Sequence, residues 1–136
     1  MKLVQHGELN MKTAHDLVLA AKESIEEVGL DQAQEAISRA DVLLDVREAD
    51  EYANGHIPGA IHIPRGLLEF KLSNDPSLSA RNLKIVLYCK NSGRAALCSK
   101  TLHDMGYLHV QSIAGGFDAW SSAGNPVAKP ESIKFE

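Results

Sequence analysis

Tyr88-Cys89-Lys90-Asn91-Ser92-Gly93-Arg94 places a thiol, two cations, two polar side chains and a glycine in one short run. The run follows an apolar, β-branched stretch, Lys84 to Tyr88, and precedes a helical pattern from Gly93 to Asp104. That order predicts a strand-to-helix loop. A helix start presents unpaired backbone N–H groups and the positive end of the dipole, so the loop suits an anion. The same field, reinforced by Lys90 and Arg94, favours thiolate over thiol at Cys89, and the thiolate is the nucleophile. The blander reading of Cys89 is a small buried hydrophobe ending a strand. The polar, doubly basic continuation counts against it. Arg94 judged alone reads equally well as a surface arginine with a solvated head.

Other residues invite chemical readings and mostly decline them. Cys98 recurs with Leu102 and Met105 at i, i+4 and i+7, which is a core stripe, so a resolving-cysteine role is the lesser reading. His56 lies in a Gly-His-Ile-Pro-Gly turn, where a hydrogen-bonded turn histidine outweighs a proton carrier. Asp45 and Arg47 flank Val46 at a strand end and share one side. A charge pair bracing that strand against the Cys89 loop is expected of them, and structural support rather than catalysis. Phe117 and Trp120 read as core anchors. The histidines at 6, 15, 56, 62, 103 and 109 have no ligand-like spacing, so neither a metal nor a cofactor is expected.

The elements that must position the loop are legible around it. Val42 to Val46, Ala60 to Ile63, Lys84 to Tyr88 and His109 to Ile113 read as short buried strands, with Val28 to Leu30 a further short candidate. Helical patterns separate several of them, which argues for an α/β fold with a parallel sheet covered on both faces. Thr13 to Asp16 reads as a capping box opening a helix with an apolar stripe of Ala14, Leu17, Val18, Ala21 and Ile25. Asp31 to Gln34 repeats the capping pattern ahead of a second helix ending near Arg39. Asn74 to Ser77 and Ala123 to Pro126 are turns, and the chain after Pro126 reads as loosely held.

At 136 residues, 44% hydrophobic and 24% charged, the chain has the make-up of one globular domain. A net charge of −4 with scattered basic residues does not suit nucleic acid. No apolar run approaches the roughly 20 residues that span a bilayer, and the opening MKLVQHGELN lacks a signal-peptide layout, so the expected location is the cytoplasm, with no membrane partner. Two cysteines make no disulfide framework, and free thiols are expected.

Three ordered stretches carry a resemblance. Asp45-Val46-Arg47, Glu51-Tyr52 and Gly55 to Ala60 form the first, Cys89 to Arg94 the second, and Gly115 to Trp120 with Gly124 to Val127 the third. Together, over roughly residues 28 to 127, the chain resembles the rhodanese family. The resemblance implies a three-layer fold around a parallel sheet of about five strands. It also implies a double displacement, in which Cys89 takes sulfur from thiosulfate or a persulfide donor, holds it as a persulfide and passes it to a thiol or cyanide. Backbone N–H groups of Lys90, Asn91, Ser92, Gly93 and Arg94 would hold the anion. A six-residue loop resembles the sulfurtransferase version, since the phosphatase and arsenate-reductase relatives carry one residue more. The common single-domain pattern has glycine at the fourth loop position and Ser or Thr after the arginine; here Ser92 and Ala95 stand there, which bears on donor preference. The alternatives are a non-enzymatic binding module and, less well supported, a phosphatase relative.

The expected layout is an N-terminal helical extension over 1–27, the rhodanese-like domain over 28–130 and a tail over 131–136. The extension's helix, 13 to about 26, is expected to cover one sheet face, or to meet a second copy or a protein partner.

Overall fold

The computed structural model describes residues 11–130. The expected tail and the first ten residues of the extension lie outside them. Five strands, β1 (Glu26–Val28), β2 (Val42–Asp45), β3 (Ile61–His62), β4 (Lys84–Tyr88) and β5 (His109–Ile113), form one parallel sheet in the order β1-β5-β4-β2-β3. The helices are α1 (Ala14–Lys22), α2 (Leu30–Arg39), α3 (Ala49–Asn54), α4 (Leu68–Asn74), α5 (Gly93–Asp104) and α6 (Gly116–Ser122). The class is α/β, with α1 preceding the sheet.

The apolar runs of β2 and β4 are continuous because both faces of the sheet are covered. Alternation along β4 sends Ile85 and Leu87, and beyond them Cys89, into one core with Leu68 and Leu72 of α4 and Ala95, Cys98 and Leu102 of α5. Val86 and Tyr88 enter the opposite core with Ala33 of α2 and Trp120 of α6. The connections leaving β2 and β4 run to opposite sides, so the switch point of the sheet lies between these two strands. Asp45 and Cys89 stand at their carboxyl ends.

Several boundaries depart from the sequence expectation. β3 is a two-residue edge strand with Ile61 47% exposed, not a buried one. Gly29, rather than Asp31, caps α2, and Asp31 becomes a first-turn acid. The chain past Pro126 is held at Ala128, whose N–H donates to the His56 carbonyl at 2.8 Å while His56 N–H returns a bond at 2.9 Å. Thr13 and Asp16 do form the capping box of α1, at 3.1 and 2.9 Å. The helix ends at Lys22 rather than near 26, leaving Ile25 beyond it, and the stripe that remains is only partly covered: Ala21 is buried and Val18 half-buried, while Leu17 remains 50% exposed. The reason is the partner. α1 lies chiefly against α5 rather than across the sheet, and one helix surface covers less than a sheet face. The two helices meet where Val18 lies over Gly93, at ordinary contact distance from where a Cβ would stand, 3.6 Å.

Candidate active site

Cys89 leaves β4 pointing toward α5 and is fully buried. Its Sγ accepts the N–H of Ala95 at 3.3 Å. Ala95 is the third residue of α5, and the N-cap residue Ser92 makes no side-chain capping bond. The sulfur therefore occupies the role that a capping oxygen usually fills, at the end of the helix where negative charge is stabilised. The donor to sulfur thus lies one residue beyond the run Lys90 to Arg94 expected to supply it.

Within that run, the Ser92 N–H is taken by Asn91 Oδ1 at 2.8 Å. Among the described residues, the N–H groups of Lys90, Asn91, Gly93 and Arg94 have no acceptor in the loop and cap hydrogen bonds. They remain to receive an anion. Lys90 and Asn91 are exposed.

Arg94 is placed differently from its expected role. Its guanidinium donates to both carboxylate oxygens of Glu51, at 2.7 and 3.0 Å. The Arg94 bond holds the Glu51 carboxyl down to about 2, against the opposing effect of burial, and Glu51 in turn raises Arg94. The cation is thus largely answered before any substrate arrives. A third cation reaches the loop instead: Lys22 Nζ, at the end of α1, donates to Ser92 Oγ at 2.9 Å.

The loop is held from behind. Phe117 N–H donates to the Cys89 carbonyl at 2.8 Å and Asp118 N–H to that of Lys90 at 2.9 Å. Gly116, with φ +57°, has no room for a side chain: a Cβ would stand 2.5 Å from the Cys89 carbonyl oxygen and closer still to that of Asn91. The third motif of the sequence is therefore the backing plate of the second.

Asp45 and Arg47 form a buried pair at 2.7 Å. Asp45 also accepts the Tyr88 hydroxyl at 2.8 Å, Arg47 donates to the Gly55 carbonyl at 2.6 Å, and its guanidinium lies 4.3 Å from the centre of the Phe117 ring. Burial and the neighbouring Asp45 push the Tyr88 hydroxyl well above its ordinary range, so it stays a donor. The pair locks β2 to Tyr88, the residue before the nucleophile.

Cys98 is buried in the core with Leu102, and burial pushes its thiol up to about 12. His56 stacks on Tyr52 at 3.8 Å, its Nδ1 3.1 Å from the Tyr52 carbonyl oxygen. Trp120 donates to the Pro126 carbonyl at 2.7 Å.

A cleft of about 460 Å³ opens beside the loop, lined by Glu48, Arg65, Leu68, Phe70, Arg94 and Cys98. A slightly larger one, about 500 Å³, involves Arg39, Lys84 and His109 near the amino ends of the strands. Size does not mark the site here, because the loop donors and the thiol gather at the carboxyl ends. Among the described residues no cluster of His, Cys, Asp and Glu is placed to hold a metal, and no helix is long and apolar enough to cross a membrane.

Sequence reasoning missed Lys22, Glu51 as the partner of Arg94, and the Ala95 donor. Glu51 stood in the first motif and was the one signal within reach. Nothing in the sequence joins Lys22 to a residue 70 positions away.

The rhodanese-like domain model matches residues 29–123. A sulfurtransferase of Allochromatium vinosum is 33% identical over 100 residues, covering 73% of this chain and 90% of its own. Thiosulfate sulfurtransferase 16 of Arabidopsis thaliana is 32% identical, covering 61% and 76%. Among solved structures, a Rhodopseudomonas palustris protein of unknown function, described as a possible tyrosine phosphatase, is 32% identical with a TM-score of 0.80, covering 87% and 96%. With this fold, a motif-bearing loop at its switch point and a family match across most of its length, the chain belongs to the rhodanese-like domain family.

Proposed function

We propose that this protein is a sulfurtransferase that carries sulfane sulfur on Cys89. The family match and the sulfurtransferase relatives support sulfur transfer as the general chemistry. The observation that carries the specific reading is the thiol at the N-terminus of α5, accepting the Ala95 N–H inside a loop whose N–H groups at Lys90, Asn91, Gly93 and Arg94 have no acceptor among the described residues.

In the first step the Cys89 thiolate attacks the outer sulfur of thiosulfate. An S–S bond forms, the old S–S bond breaks, and sulfite leaves with the bonding pair. The enzyme is left as Cys89–S–S⁻. In the second step an acceptor thiolate or cyanide attacks the terminal sulfur and returns Cys89 as thiolate. The loop N–H groups stabilise the negative charge that moves outward along the persulfide, as an oxyanion hole does for oxygen. No general base is needed. Because Cys89 is fully buried, its surroundings must open as the donor enters.

The phosphatase description of the R. palustris neighbour names the rival chemistry. The arginine of this loop speaks against it: phosphoryl binding favours a two-pronged guanidinium, and the Arg94 fork is occupied by Glu51. Purified protein should form thiocyanate from thiosulfate and cyanide and release no phosphate from an aryl phosphate. The reverse pair of results overturns the reading.

A further inference from the structure

We propose that Lys22, which precedes the matched family domain, is a positioning residue that fits the loop for a donor with an anionic head. The proposal rests on the sulfur-transfer reading above. Lys22 ends α1, seven positions before the matched span of 29–123, and its Nζ meets Ser92 Oγ at 2.9 Å.

An ammonium group only donates, so Ser92 Oγ must accept and keeps its own proton for another partner. The capping duty an N-cap serine usually performs, in which its oxygen accepts a backbone N–H, is absent at Ser92 because the Ala95 N–H goes to sulfur, which leaves the oxygen to accept from Lys22. Among the described residues, Ser92 Oγ also donates to no protein acceptor. The hydroxyl thus becomes one more donor for an anion in the loop, oriented by Lys22.

Charge points the same way. Arg94 faces Glu51 through two short bonds of 2.7 and 3.0 Å. Lys22 has one carboxylate neighbour, Glu27, at 3.7 Å. Lys90 is exposed to solvent; of the two half-buried cations at the loop, Lys22 is the less neutralised. It is also held firmly for a lysine, since Ala21 is buried and Val18 lies over Gly93.

The test compares wild type with Lys22→Ala, Lys22→Arg, Ser92→Ala and the Lys22→Ala/Ser92→Ala double variant, measuring thiocyanate formation against thiosulfate concentration. Lys22→Ala should raise the KM for thiosulfate about tenfold, the effect of losing a charged hydrogen bond, with a much smaller change in kcat. Lys22→Arg should recover most of the loss. The double variant should be little worse than either single one, because the two residues act as a unit. Added salt should raise the wild-type KM more than that of Lys22→Ala. Thermal denaturation of each variant checks the fold. An unchanged KM in Lys22→Ala overturns the proposal, as does a joint loss of kcat and stability that arginine fails to restore. If the wild type forms no thiocyanate, the sulfur-transfer reading falls and Lys22 with it; if the wild type turns over and Lys22→Ala matches it, Lys22 alone falls.

Discussion

Replacing Glu51 with glutamine keeps the side-chain shape and removes the charge that answers Arg94. The Glu51 carboxyl lies at about 2 instead of 4.5, and at about 1.4 kcal/mol per unit the pair has a ceiling of about 3 kcal/mol. The two side chains are 26% and 32% exposed, so solvent screening reduces this to about 1–2 kcal/mol. In a domain of this size that is a fall in Tm of about 3–8 °C. A depressed carboxylate stabilises the fold fully above its ordinary range and loses that contribution as pH falls through its folded value. The gap between wild type and Glu51→Gln should therefore be complete at pH 7, narrow below pH 4.5 and close near pH 2. Differential scanning calorimetry across that range reads it directly. With Arg94 no longer answered, Cys89 should also react faster with iodoacetamide at pH 7. Equal Tm values at pH 7, or a gap that persists undiminished at pH 2, would refute the electrostatic reasoning.

Gly116→Ala should destabilise the protein by about 2–5 kcal/mol and abolish turnover, because a left-handed backbone and a clash with the Cys89 carbonyl act together; urea denaturation and the thiocyanate assay check it. Asp45→Asn leaves Arg47 buried without its counter-charge and should cost about 3–5 kcal/mol, measured the same way. Cys98, with its thiol pushed up to about 12, should escape alkylation in the folded protein at neutral pH, so peptide mapping should find label on Cys89 alone. Cys98→Ala should transfer sulfur normally and lose about 1 kcal/mol.

What the sequence made legible was local. The strand-to-helix loop at Cys89, the α5 boundaries and the Thr13 capping box all follow from patterns a few residues long, and each appears in the structure. The thiol's face could also be read, because alternation from Ile85 through Leu87 places Cys89 toward α5. Long-range pairing was not legible. Arg94 and Lys90 looked like the cations of the loop; the structure answers one with Glu51, exposes the other and brings Lys22 from 70 positions away. The edge position of β3 was hidden for a related reason. An apolar residue such as Ile61 reads as buried until the strand order shows β3 at the edge, with no strand beyond it among the described residues.

The central claim is that sulfur rides on Cys89. Intact-protein mass spectrometry after brief exposure to thiosulfate, run on wild type and Cys89→Ser, tests it most directly. The wild type should gain the mass of one sulfur atom, lose it on adding cyanide as thiocyanate appears, and the serine variant should gain nothing. A wild type that gains no sulfur, or a folded Cys89→Ser protein that gains it equally, would contradict the claim.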